Sequence, residues 1–580
     1  MENMKKQDRA IKIQIKNSIF NLIYLAIFTV PFFILGLPYL KNSNAAGGAL
    51  EEKALYFTSA KNLNSFGWKN FGIADYGLNS KGLPVDHLYY THFPSTPDIF
   101  LSILIKIGLS NQQIRFSLVS LTVLGLFILF RILKELNLDY KYIYVILFLS
   151  IYTYQQFWKY SDHIVFAWFT PTLYLGVLGI VKHLRNQRNG KRLIYVSLLL
   201  AYITSFMGFF ILISVLMLLF LLKIIRDRRF IFKAIGLSLL CIILHFLRNI
   251  LFFGFPIALK DLFFTLGNRT IGYPSRSQAL VFFRKNKIAW WGSDNNSISP
   301  LLEWFKEIAL LRLGILILST YIVYKIMKAK PKVHKDSPEG KKNKAMFNLQ
   351  SHNLVDQLTV CLFSFAVMSF VWYLIFPQQG KNYILPLLPN ISTMFSLAAI
   401  IYYLTVSNEN LKIVKISKQR IQTKENSLIT KYSALASLLL ITNILVLFSN
   451  QTIDIRNAIE NNFYSADVIS FNKLPKLNGN VFTNLNAPLS FQYTGGNTYG
   501  YCKNSALLNL DYKQCFSGRI FTKPDEKSRN FILISRIYLS SDIQCQPQPL
   551  CLDELEKDLS TLYFKYMSGD RWVIFSDRSG

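Results

Sequence analysis

Charge is what this sequence has least of: Asp, Glu, Lys and Arg make up 17% of 580 residues, against 51% hydrophobic. Soluble domains of this size are usually more charged and less apolar. Acids are the scarcer sign, 33 against 64 basic residues, leaving a formal charge of +31. There is no internal repeat, which argues against transporters built from duplicated halves. The apolar blocks carry few charges in their middles, where a transporter or flippase would hold them. Cysteine is limited to six residues with no paired C-x-x-C spacing, so zinc is not expected.

What is present is long apolar blocks. Residues 18–38, 231–251, 355–376 and 383–405 are each long enough to cross ~30 Å of hydrocarbon as a helix. The basic residues gather in short linkers between blocks: 1–17, 131–141, 182–192, 223–233, 325–344 and 412–431. That is the pattern of cytoplasmic loops beside anionic lipid, and it removes the need for a nucleic-acid partner. The block 19–37 is too long for a signal-peptide core, so it reads as an uncleaved first span.

The linkers fix the remaining path. Residues 113–133 run inward; 141–157 and 163–182 form a hairpin; 193–222 break into two short helices near 205–208. Residues 231–251 run outward, 306–327 return, 355–376 and 383–405 form a hairpin, and 432–449 cross outward. The expectation is a polytopic α-helical membrane protein of about eleven transmembrane helices, with a cytoplasmic N-terminus and an extracytoplasmic C-terminus. A cytoplasmic stretch 1–17 precedes a transmembrane domain over 18–449. Its first outer loop, 39–112, includes an interfacial helix at 98–109, and its second outer loop covers 253–305. An extracytoplasmic domain over 450–580 reads as a small α/β module, with strands at 481–485, 531–536 and 572–575 and an acidic helix at 552–563. Cys502, Cys515, Cys545 and Cys551 fall in it and imply two disulfides among three possible pairings. Cys241 and Cys361, in apolar blocks, read as packing residues.

The first loop holds the residues best suited to chemistry. Glu52, Tyr56 and Ala60 recur at i, i+4, i+8 and share one helix face, with Glu51 beside them. A carboxylate there can take the proton from an acceptor hydroxyl as it attacks an anomeric carbon, while a phosphate leaves as a stable anion. The plainer role of Glu51 and Glu52 is to favour a helix N-terminus through its dipole. Asp86 and His92 flank a run with turn prolines, suited either to a structured loop or to acceptor or donor-phosphate contact. Asp86 with Glu52 could hold a divalent cation; no cofactor is firmly implied.

Arg269, Tyr273 and Arg276 lie in the second outer loop, where basic residues run against topology. A phosphate headgroup explains them, because Arg complements phosphate oxygens. Lys381 and Tyr383 stand at the outer mouth of a later span, Lys381 either neutralising that phosphate or snorkelling.

Taken in order, these motifs resemble the GT-C glycosyltransferase superfamily, in particular the bacterial branch of protein mannosyltransferases and the lipid A aminoarabinose transferase. Glu52, Tyr56 and Ala60-Lys61-Asn62-Leu63 match its D-E-x-x-Y-x-x-x-A-R-N-L-like helix. His92-Phe93-Pro94 matches its turn into an interfacial helix, and Ile114-Arg115-Phe116 its second-span start. Lys381-Asn382-Tyr383-Ile384-Leu385-Pro386-Leu387-Leu388-Pro389 matches its late basic-x-Tyr-x-Leu-Pro motif. The sequence departs from the family in having Glu52 for the usual Asp, Lys53 for a common second acid, and one proline after His92.

The resemblance implies a glycosyltransferase that moves a sugar from a polyprenyl-phosphate donor to a glycan, lipid or protein acceptor at the outer face. An O-antigen polymerase or ligase is the alternative enzyme, and a lipid or polysaccharide transporter the alternative outside enzymes.

Overall fold

The computed structural model describes residues 47–66, 72–78, 87–92, 94–135, 164–204, 206–270, 276–289, 320, 354–375, 471, 473–485, 487–499, 502–515, 524–535 and 548–579. The expected spans at 18–38, 141–157, 383–405 and 432–449 lie outside these residues, as does 306–327 apart from residue 320.

The first outer loop is folded. Helix α1 (Gly47–Phe66) leads to a two-stranded antiparallel ribbon of β1 (Ala74–Asp75) and β2 (Tyr89–Tyr90), with Asp75 opposite Tyr89. Helix α2 (Thr96–Lys106) follows, started by Pro97 in its first turn and succeeded by Gly108 at φ +83°. It buries Leu101 and Leu104 and exposes Ile103, an amphipathic pattern suited to lying at a surface.

A capping box in which Ser110 and Gln113 bond each other's backbone N–H opens α3 (Asn111–Glu135). Helices α4 (Ile164–Leu184) and α5 (Asn189–Thr204) form a tight hairpin, turned at Asn186 with φ 57°. Gly179 and Gly190 let the backbones meet; a side chain at Gly190 would collide with the His183 backbone. α6 (Phe206–Leu221) begins two residues after α5 ends, so 193–222 breaks where expected. The Asp227 carboxylate accepts from Phe230 N at 3.0 Å and caps α7 (Arg228–Phe253). α10 (Leu354–Ile375) packs on α6, where Trp372 Nε1 donates to Ser214 Oγ at 2.9 Å. Leu198, Ile211, Val215, Phe365 and their neighbours form the main core.

Among the described residues, 113–135 and α7 are long and apolar enough to span a membrane. α7 turns Phe232, Leu239, Ile243, Leu247 and Leu251 outward, as lipid contact requires. The basic clusters converge at one end. Glu135 closing α3 meets Lys182 at 3.5 Å and Arg185 at 3.2 Å, and Lys191 pairs with Asp227 at the start of α7. The folded first loop lies at the other end of α7.

The second outer loop differs from the open loop expected. Gly254, at φ +82°, breaks α7 and starts α8 (Phe255–Thr270), and α9 (Arg276–Lys285) follows. α8 is amphipathic: Phe255, Leu262, Phe263 and Leu266 are exposed, while Ala258 and Asp261 are buried. Residues just after α9 join the first loop as backbone. Tyr89 N donates to Lys287 O at 2.8 Å, and Ala289 N to Tyr89 O at 2.7 Å.

The C-terminal segment holds a five-stranded mixed sheet in the order β4-β3-β5-β7-β6. The strands are β3 (Asn480–Thr483), β4 (Asn497–Tyr499), β5 (Asn530–Ser535), β6 (Phe564–Gly569) and β7 (Trp572–Ser576). β3 runs parallel to β4 and β5, whereas β5–β7 and β6–β7 are antiparallel. Inner strands alternate between two cores, as the pleat demands. Phe482, Ile532 and Phe575 pack with helices α12 (Asn504–Asn509) and α13 (Gln548–Leu562); Val481, Phe531 and Ile574 pack on the opposite face. Helix α11 (Ala487–Thr494) lies between β3 and β4. Cys502 and Cys515 are disulfide-bonded, while Cys241 and Cys361 are free and buried. Cys545 lies outside the described residues.

Candidate functional site

α1 sets the first half of the site. It begins at or before Gly47 and has no acid in its first turn, so Glu51 and Glu52 stand in its second turn. The dipole's effect fades beyond the first turn, which weakens the purely capping role for this pair. Glu52 stands one turn before Tyr56 on the same face, and Glu51 is about 100° away by the 3.6-residue period. Tyr56 and Ala60 are buried on α2 among Leu101, Leu104 and Ile114.

From Tyr56 a ladder of rings crosses the ribbon to the second loop. The Tyr56–Tyr76 centroids are 6.3 Å apart, Tyr76–Tyr90 5.3 Å, Tyr90–His92 5.2 Å and His92–Phe283 6.0 Å. Two residues carried by separate sequence motifs, Tyr56 and His92, are thus parts of one structure.

His92 is held from α8. Its Nε2 lies 3.2 Å from Asp261 Oδ1 and 2.7 Å from Thr265 Oγ1, and Thr265 Oγ1 donates to Asp261 at 3.3 Å. Asp261 and Thr265 are one turn apart on one face, so a single helix supplies both contacts. The preceding residue is fixed by the C-terminal part of α7, where His245 Nε2 and Asn249 Nδ2 donate to Thr91 O at 2.9 and 3.3 Å.

The other side of the ribbon carries a second His–Asp pair. His87 Nδ1 lies 2.7 Å from Asp75 Oδ2, while Gly77 N and Leu88 N donate to Asp75 Oδ1 at 3.0 and 2.9 Å. The imidazole stacks on Tyr89. With both carboxylate oxygens of Asp75 engaged locally, this pair fastens the two ends of the 76–88 excursion.

Asp98 is the third acid. It sits in the first turn of α2 and is fully buried in an apolar layer, which pushes its carboxyl up to about 7. Ser59 faces it from α1, and hydrogen bonding from Ser59 and from the backbone offsets part of that rise.

Of the remaining candidates, Arg269 stands at i+8 from Asp261, at the end of α8, and Arg276 opens α9 seven residues before Phe283. Asp86, Tyr273, Lys381 and Tyr383 lie outside the described residues. Among those described, no group of three His, Cys, Asp or Glu is placed to hold a metal ion. The sequence reading passed over Asp75, Asp98, Asp261 and Thr265. Asp261 was visible as the one acid in the largely apolar run 255–266, beside Lys260 and with Thr265 one turn later.

No protein-family model matches the sequence, and no curated protein matches it significantly. Solved structures do match. ArnT from Cupriavidus metallidurans in the apo state superposes with a TM-score of 0.50 at 11% identity, over 96% of this chain and 98% of that one. The same protein bound to undecaprenyl phosphate matches over the same shares at 11% identity and 0.47, too loosely to add to the first. The shared property is the fold: over 96% of its length this chain matches the fold of ArnT, a membrane protein.

Proposed function

We propose that this chain, built on the ArnT fold, is a membrane glycosyltransferase that moves a sugar from a polyprenyl-phosphate donor to an acceptor at the outer face. The observation carrying the reading is the ring ladder that joins the Glu52-bearing helix, at Tyr56, to His92 and through it to α8. A base and a phosphate contact must converge on one sugar, and these are the elements the motif order assigns to each.

In this mechanism Glu52 accepts the proton of the acceptor hydroxyl while that oxygen bonds to the anomeric carbon. The bond from that carbon to the donor phosphate breaks, and polyprenyl phosphate departs as an anion. His92, Arg269 and Arg276 complement its charge as it grows, with Lys381 and Tyr383 as the further candidates for that contact. The acceptor is a glycan, lipid or protein.

The test is transfer by purified protein in detergent or vesicles from a panel of labelled polyprenyl-phosphate sugars, paired with mass spectrometry of envelope glycolipids and glycans with and without the gene. Consumption of one donor and loss of one matching sugar are expected. An intact donor panel and an unchanged envelope would rule the reading out. Reporter fusions at residues 190, 335 and 420 should report cytoplasm, and those at 70, 280 and 520 the outside; the reverse pattern would put the chemistry on the wrong face.

A further inference from the structure

The C-terminal sheet touches the rest of the chain at the helix that carries the proposed base. Phe491, on α11, is 4% exposed and packs on Leu78, itself 1% exposed, just beyond the ribbon. The Lys61 ammonium of α1 sits 5.6 Å from the centre of the Phe491 ring. Burial, with Lys476 nearby, holds that ammonium down at about 8. α11 is itself anchored to the sheet: Lys476 Nζ donates to Tyr493 O at 2.6 Å, and Tyr493 packs on Phe471, part of the core on one sheet face.

Besides the packing of Tyr56 and Ala60, two polar fastenings of α1 fall in the same place. Asn62 Nδ2 donates to Asp75 O and Gly77 O, each at 2.7 Å; Asn64 Nδ2 donates to Ser102 O at 3.0 Å, and Ser102 Oγ returns a bond to Asn64 Oδ1 at 2.8 Å. Residues 61–64 therefore form a pivot clamped on three sides, by the ribbon, by α2 and by the C-terminal sheet. Glu52 stands nine residues upstream, about 14 Å along the axis. Over that lever, a tilt of roughly 4° at the pivot displaces Glu52 by about 1 Å, enough to cost on the order of 100-fold in a reaction that depends on alignment.

We infer that Phe491 is a positioning residue, through which the C-terminal domain clamps α1 and fixes the place of its Glu52-bearing turn. This rests on the transferase reading for its kinetic consequence, but the clamp itself is testable without any substrate.

The experiment compares full-length protein with Phe491→Ala, Phe491→Leu and Leu78→Ala, the last lying across the seam and outside the sheet. Amide hydrogen exchange should quicken in α1 for both alanine variants, while β5 and β7 stay protected, and Phe491→Leu should restore the wild-type rate. With a working donor, kcat should fall roughly 10–100-fold in the alanine variants with donor KM unchanged. Unchanged α1 exchange in Leu78→Ala and Phe491→Ala overturns the clamp. So does unfolding of the sheet in Phe491→Ala with Leu78→Ala silent, since Phe491 would then serve only its own domain. Quickened exchange in a protein that consumes no donor keeps the clamp and removes the transferase.

Discussion

His92 and Asp261 are 169 residues apart in sequence and 3.2 Å apart in space, with both side chains 5% exposed. A contact so far from water, between two separate outer loops, is a fastening: it fixes α8 against the turn that leads into α2. Asp261→Asn keeps the shape and removes the charge. It should cost about 1.5–3 kcal/mol, the usual worth of a hydrogen bond to a charged group, read as a lowered thermal unfolding midpoint in detergent. Thr265→Val should cost less. A midpoint unchanged in Asp261→Asn would mean that the pair does no more than coexist.

Glu52→Gln should lower transfer by about 10²–10⁴ while leaving expression and donor binding nearly intact, the usual loss when a general base is removed. Glu51→Gln should cost much less, being on another face of α1. Inactive Glu51→Gln with active Glu52→Gln would shift the register by one residue and keep the mechanism. Full activity in both would move the search to Asp86.

Asp98 makes stability depend on pH. Its folded-state carboxyl titrates near 7, against 3.8 for an ordinary Asp, because burial penalises the charged form. The folded protein therefore holds a proton that the unfolded chain has lost between these values. The contribution is complete below about pH 4 and declines as pH rises through 7, by up to roughly 1.4 kcal/mol per unit. Asp98→Asn should flatten the unfolding midpoint between pH 5 and 8. A wild-type midpoint that rises across that interval through this residue would contradict its burial.

The C-terminal thiols should be fully oxidised. The Cys502–Cys515 bridge closes a short loop over 13 positions, with Cys502 buried in the sheet's core, and its loss should cost about 2–3 kcal/mol. Intact-mass counting on protein made in an oxidising compartment should find Cys241 and Cys361 as the reduced pair, with Cys545 and Cys551 joined. Free thiols at 545 and 551 would leave one bridge instead of two.

Much of this architecture was readable because a membrane simplifies the code. Runs of apolar residues punctuated by Lys and Arg located α3, α4, α7 and α10, and the excess length of 193–222 announced two helices. Short runs of β-forming residues in the C-terminal region located β3, β5 and β7. β4 was missed because three residues are too few to show a period, and it is held by its parallel pairing with β3. β6 was missed because it is an edge strand with its side chains largely exposed. α8 and α9 were taken for loop because their charges outweighed their period. Tyr56 and His92 were legible because motif spacing marks a helix face and a turn. Their partners Tyr76, Tyr90 and Asp261 were not, since long-range contacts leave no trace in local spacing.

The glycine contact between α4 and α5 has a bearing on traffic. Gly179 meets Ile194 and Gly190, Gly190 meets His183, and Ser197 Oγ bonds Thr172 O at 2.7 Å. Backbones this close leave no crevice for an isoprenoid tail, so a long-chain lipid has no doorway between these two helices. The flank of α7 is different: its outward row of leucines and isoleucines runs up to the break at Gly254, and on the proposed reading it is the side from which a lipid tail can approach.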